Sequence, residues 1–209
     1  MESNYANALG FYWNYKNNTS INDGHWSNTW STSLLNRTNL NTNFINNIGT
    51  KWVDKIIEAT WKVGGNTNDK LSKQAASTAY QNEILHPVTT NSIDNQTEYN
   101  AKIGLMYVSD YMYATPQNKW TLVGYYKDDF TKDYRTGRKE DWMYMGLYEW
   151  TITRQSDQTY RVFWIGHIGY LITNGAEGYG AVRPTFYLSN SVSYFSGSGT
   201  KTDPIILGD

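Results

Sequence analysis

From Leu40 onward the apolar positions recur at helical spacing. Leu40, Phe44, Ile45, Ile48, Trp52, Ile56 and Ile57 fall three and four residues apart, which predicts an amphipathic helix with one buried face. Gly49 splits this stretch into two short helices, with Thr50 placed to cap the second. Gly64 and Gly65 end the element after the apolar residues 59–63. A second, more polar helix is expected over 69–83, closed by Pro87 and the Thr/Asn-rich loop behind it. Upstream, residues 4–38 are rich in Asn, Ser and Thr around Tyr5, Phe11, Trp13, Trp26 and Trp30. They read as irregular structure with one short strand near 10–15.

Beyond residue 100 the pattern shifts to short apolar runs bounded by turn residues. Residues 103–108 (IGLMYV) read as a buried strand, and Ser109 with Asp110 caps a short helix, YMYA. Further strands are expected over 120–126, 147–153, 161–165, 182–188 and 205–207. Arg183-Pro184 sits inside one of these. Proline cannot donate to a ladder, so that point is a sheet edge or a strand start, and Arg183 is expected to pair with a buried carboxylate or with carbonyls. The class is α+β: a helical N-terminal half packed on a small, mostly antiparallel sheet with long loops. No repeat, heptad or low-complexity linker interrupts it. The expected organisation is an irregular segment, 1–39, packed on a single domain, 40–209.

Composition narrows the function. The charged fraction is 18% and the formal net charge is −1, so the basic stripe that nucleic acid requires is missing. No apolar run reaches the length of a membrane span, and no signal peptide is present. There are no cysteines, which removes thiol catalysis, disulfides and cysteine zinc sites together. The three histidines, His25, His86 and His167, have no metal-ligand spacing, so neither a metal nor a cofactor is expected. By contrast, nine Trp and 18 Tyr stand beside abundant Asn, Ser, Thr and Gly. Large rings with small adaptable polar residues are the palette of a binding face, although a loop-rich domain also uses rings to fill its core. Most Trp are assigned to the core and a minority of the Tyr to the surface.

The candidates for catalysis are sparse. Asp128, Asp129, Asp133, Glu140 and Asp141 are interleaved with Lys127, Lys132, Arg135, Arg138 and Lys139. A calcium site or a glycosidase pair is conceivable there, but a solvated, self-neutralising loop is the preferred reading. His167 lies between Gly166 and Ile168, and the only local acid to orient it is Glu177. It reads as a surface histidine of a binding patch. Gly175, Gly178 and Gly180 lack a following GK[ST] and serve turns.

The ordered set LNTNFINNIGTKWVDKIIEATWKVGG, AKIGLMYVSDYMYA, DWMYMGLYEWTI, AVRPTFYL and SGSGTKTDPIIL resembles a family of Firmicutes surface proteins. Those proteins carry a type IV pilin-like N-terminal helix followed by a C-type lectin-like domain. The resemblance runs from about residue 40 to the end. It implies a C-type lectin-like fold, an extracellular position on the cell surface, and no enzymatic activity. The AVRP segment is similar to the late strand of domains that include the variable proteins of diversity-generating retroelements, in which adenine-directed mutagenesis rewrites the stretch just before the final strands. The matching stretch here is residues 160–179. Gly166, His167, Ile168, Tyr170, Leu171, Ile172, Thr173 and Asn174 are reachable from an asparagine codon by changes in its first two bases, whereas Trp164 and Glu177 are not.

The resemblance implies a ligand-binding face built from Trp164, His167, Tyr170, Ile172, Asn174, Glu177 and Tyr179, directed at a protein or cell-surface ligand. The alternative is a structural pilin-like subunit with no exogenous ligand. Three departures stand out. The family's cysteine pair around the region matching 127–141 is missing, as is the EPN or QPD triplet of calcium-dependent sugar-binding lectins. The pilin-like helix is not in this sequence either, so pilus or membrane anchoring would run through an N-terminal segment outside it.

Overall fold

The computed structural model describes residues 6–7, 10–16, 24–67, 75–89, 95–118, 139–200 and 202–208. The strand expected over 120–126, the greater part of the charged loop after it and the start of the helix expected from 69 lie outside the described residues. In chain order the strands are β1 (Ala6–Asn7), β2 (Gly10–Tyr12), β3 (Ile56–Ile57), β4 (Ala59–Lys62), β5 (Gly65–Asn66), β6 (Glu98–Ala101), β7 (Ile103–Gly104), β8 (Glu149–Gln155), β9 (Arg161–Ile165), β10 (Leu171–Gly175), β11 (Tyr179–Gly180), β12 (Thr185–Leu188), β13 (Ser193–Ser196) and β14 (Ile206–Gly208). With the short helices between them they form a mixed α+β architecture of several small sheets.

The largest sheet runs β10-β9-β8-β5, with β8 antiparallel to β9 and parallel to the short β5. Every residue of β8 is buried, so the strand lies between two layers of side chains rather than facing water on one side. Trp150, Ile152 and Val162 join Trp13, Trp30, Leu35, Trp61 and Ile103 in one hydrophobic core. Phe163, Ile165 and Leu171 join Ala76, Ala79, Val108, Tyr111 and Met112 in a second. Alternation along β9 assigns its residues to the two sides, as a two-residue side-chain period requires.

The helical reading of 40–57 needs correction at its far end. Backbone turns run through Leu35–Phe44 and Ile45–Asn47, then Gly49 takes φ +87 and breaks the helix. A second helix, Thr50–Val53, follows without a side-chain cap, so Thr50 is a helical residue and not the cap. Ile56 and Ile57 already belong to β3, and Trp52 is exposed beside Lys51. Residues 59–62 are strand, paired with β6. Leu35–Phe44 is wound wide, with i→i+5 closure. Asn41 Nδ2 donates to Asn36 O and Thr42 Oγ1 donates to Arg37 O at 2.7 Å, five residues back, where the side chains insert into the ladder.

Two further boundaries shift for local reasons. The strand expected over 103–108 stops after Gly104, whose missing side chain makes room for the Trp61 indole. Helix Val108–Tyr113 begins sooner than its expected cap, with Tyr107 in the capping position and Asp110 Oδ2 accepting the Tyr107 N–H at 2.9 Å. Of the more polar helix, Ala76–Tyr80 and Gln81–Leu85 are observed. β12 starts directly after Pro184, as the proline rule requires. The strands β1, β3, β4, β5, β6, β10, β11 and β13 fall outside the expected strand ranges.

Candidate functional site

A groove of about 710 Å³ opens between β2, the loop leading into β8, the β9–β10 turn and β11. Phe11, Leu147, Tyr148, His167, Tyr179 and Val182 supply its side-chain walls, with Gly10 and Gly146 at its edges. Its making begins with sheet register. Trp150 and Trp164 are direct partners across β8 and β9, so their rings share one face and lie 5.1 Å apart. Tyr148 stacks on the outer side of Trp164 at 4.6 Å, and the His167 ring follows at 4.8 Å. The four rings form a ladder from a fully buried tryptophan to an exposed histidine.

The opposite wall has its own ladder. Tyr179 meets Tyr12 edge-on at 6.1 Å, Tyr12 stacks on Tyr15 at 4.6 Å, and Tyr15 leans on Trp26 at 4.9 Å. Hydrogen bonds lock the two walls together: the indole Nε1 of Trp150 donates to Phe11 O, and along the backbone Trp150 N donates to Ala181 O and Ala181 N to Tyr148 O. Tyr144 Oη donates to His167 O at 2.6 Å and holds the β9–β10 turn. Exposed rings whose rotamers are already fixed by packing lose little entropy when a partner covers them. The lining carries one imidazole, two phenols and no carboxylate, groups that offer ring contact and hydrogen bonding.

The seven residues expected to form the face are placed differently from one another. His167 and Tyr179 line the groove. Trp164 is half-buried behind Tyr148 and packs on the main core, which makes it a support. Tyr170 is buried, its ring lying where a side chain on Gly166 would be. Ile172 packs against the second core. Asn174 covers Gly178 in the turn before β11. Glu177 accepts from or pairs with His25, Oε1 to Nδ1 at 2.7 Å. The groove thus unites two of the seven with Phe11, Leu147, Tyr148 and Val182, which belong to segments read only as strands. Exposed rings beside glycine in WMYMGLY were the available signal.

Several ionisable groups lie in the interior, away from the groove lining. Glu83 is fully buried; its Oε1 accepts from Asn66 Nδ2 and Thr153 Oγ1, and its Oε2 accepts from Ser109 N. Burial pushes its carboxyl up to about 7. Arg183 Nη2 donates to Glu149 Oε2 and to Met143 O, both at 2.8 Å, the partners expected for it. Asp141 departs from the solvated-loop reading: it is buried, its Oδ1 accepts from Met143 N, and desolvation raises its carboxyl to about 6. Burial likewise raises Glu149 and Asp110.

Among the described residues no group of three or more His, Cys, Asp and Glu side chains could hold a metal ion, and no helix is long and apolar enough to cross a membrane. No family model matches the chain, and neither a curated protein nor a solved structure matches it.

Proposed function

We propose that this chain is a surface-exposed binding domain, an adhesin or receptor-binding module on a C-type lectin-like scaffold, which holds a protein or cell-surface ligand non-covalently and catalyses no reaction. The observation that carries this reading is the apolar groove whose aromatic walls are stacked into the core and left open at the outer end. Aromatic anchors at the centre of a binding patch are the positions where single truncations cost about 2 kcal/mol or more.

The comparison with diversified variable proteins takes a narrower form in this reading. Leu171 and Thr173 are buried in β10, and Gly166 and Tyr170 are buried against each other. Random replacement there would break the sheet or the turn. Diversification is compatible with His167, Ile168, Ile172 and Asn174, which keep solvent contact. The gene's own locus supplies a check: a near-copy of the 3′ coding segment beside a reverse transcriptase should differ in adenines at those four codons. Differences concentrated in the codons of Leu171 and Thr173 would overturn the diversified version.

The binding reading itself is tested by selecting a phage-displayed peptide library on the purified chain. Enriched peptides are then titrated onto the wild type and the Tyr148→Ala and Tyr179→Ala variants. Affinity should fall at least about tenfold in each variant while the melting temperature is preserved. Peptides that bind all three chains equally would show that the groove is not the binding site.

A further inference from the structure

β13 and β14 form a two-stranded sheet of their own, paired Ser193 with Gly208 and Tyr194 with Leu207. An isolated two-stranded hairpin is marginal in water, and it is ordinarily held by a third strand or by a packed face. Here the turn is closely built. Ser198, Gly199 and Thr200 all donate backbone N–H to Asp203 O, and Asp203 Oδ2 accepts the Ser198 N–H at 2.8 Å. The strands leaving this turn bring apolar side chains to solvent: Tyr194 at 64%, Phe195 at 77%, Ile205 at 47%, Ile206 at 52% and Leu207 at 37%. Sheet edges exposed in this manner are usually blunted with lysine or other charges, yet neither Ser193–Ser196 nor Ile206–Gly208 contains a charged residue.

We infer that this hairpin is a self-association surface and that its partner is the hairpin of a second copy of the chain. Geometry favours that occupant: among the described residues neither β13 nor β14 has a second strand partner, so each leaves an edge open to a copy of itself. The exposed side chains divide between the two faces of the ribbon, Tyr194 with Leu207 on one and Ile206 on the other, so edge pairing with a second copy extends both apolar faces at once. Charge agrees, because uncharged strands meet their own copies without repulsion and the formal net charge of the whole chain is only −1. Unpaired strand edges offer each copy the backbone partners that the other lacks. The Tyr194 hydroxyl already donates to Gly197 O, so its ring is held in place before contact. The surface involves none of the groove's lining residues, so association through the hairpin leaves that lining unchanged.

The experiment is sedimentation equilibrium of the purified chain at several loading concentrations, with the Phe195→Ser/Ile206→Ser double variant alongside. The wild type should follow a reversible monomer–dimer equilibrium, and the double variant should raise the dissociation constant at least about tenfold with an unchanged near-ultraviolet circular dichroism spectrum. A wild type that stays monomeric at every concentration overturns the inference, as does a dimer that survives the double change. A second measurement avoids dependence on the variant's folding. The chain has no cysteine, so a single Ser193→Cys replacement treated with a short bis-maleimide should yield a covalent dimer at dilute protein. Failure to cross-link would show that two hairpins do not meet.

Discussion

His25 Nδ1 and Glu177 Oε1 lie 2.7 Å apart across 152 positions of sequence. The imidazole also stacks on Tyr160 at 4.0 Å, and the Arg161 guanidinium lies over that same tyrosine ring. The contact fastens the segment before Trp26 to the turn that delivers Tyr179 to the groove. Glu177 therefore acts on the groove through position rather than by lining it.

Replacing Glu177 with Gln should release that turn. Both partners are partly exposed, at 38% and 28% of their side chains, so the change in global stability should stay within about 1 kcal/mol. Amide exchange at Ala176, Glu177 and Gly178 should nonetheless quicken relative to β8, since local opening draws on local contacts. Unchanged exchange in that turn would mean that Gly178 N bonding to Gly175 O holds it without the His25 contact.

Glu83 predicts a pH dependence whose sign runs against the usual acid sensitivity. Its carboxyl rises from the ordinary 4.5 to about 7 in the fold, so the folded state binds the proton more tightly than the unfolded state. The stability this group contributes is complete below pH 4.5, is lost as pH climbs to 7, and is level above that. The span corresponds to about 3 kcal/mol, and Asp141, raised to about 6, acts in the same direction. Melting temperature should fall between pH 4.5 and 7 in the wild type, and Glu83→Gln should flatten much of that fall. The variant should also be less stable at low pH. Its amide keeps one acceptor oxygen where the carboxyl offers two to Asn66, Thr153 and Ser109. Parallel curves for the two proteins would exclude Glu83 as the titrating group.

Tyr170 and Tyr179 look alike in the sequence and should behave oppositely. Tyr170 is buried over Gly166, so Tyr170→Ala leaves a cavity and should cost about 3–5 kcal/mol. Tyr179 is 41% exposed at the groove, and Tyr179→Ala should shift the denaturation midpoint far less. Urea titration of both variants, compared at equal slope, decides the matter. Similar midpoints would return Tyr170 to the surface.

The legible part of the fold was what short-range periodicity controls. Residues 161–165 are a short apolar run and form β9, Gly49 breaks its helix with a positive φ, and Pro184 marks the start of β12. The groove was not legible because its lining comes from residues 10–11, 146–148, 167, 179 and 181–182. Only the sheet register that sets Trp150 opposite Trp164 brings these segments together. His167 and Tyr179 could be picked out because they lie in one aromatic, glycine-rich stretch, whereas Phe11 and Tyr148 sit in runs that read equally well as core strand. Glu83 carried no local signal, since a single glutamate in a polar helix resembles any solvated one until Asn66 and Thr153 are folded around it. Ile57 and Trp52 fit a helical stripe that the chain abandons after Val53, a case of sheet pairing overriding periodicity.

Gly10 gives a further prediction, with an internal control. It sits at the groove edge with φ +149, and a Cβ there would come within 2.6–2.9 Å of the Gly180 backbone. Gly180 pairs with Phe11 across β2 and β11, so Gly10→Ala must push those strands apart and disturb the bond from Trp150 Nε1 to Phe11 O. Gly24 has φ +79, but a methyl group on it would meet no atom within 4 Å, so Gly24→Ala isolates the backbone strain alone, about 1–2 kcal/mol. Gly10→Ala should cost more than this, and it should quench or shift the tryptophan emission as the Trp150–Trp164 ladder loosens, which Gly24→Ala should leave unchanged. Equal stability losses with identical emission spectra would mean that β2 and β11 can separate without disturbing the ladder, and that the groove's two walls are not mechanically joined.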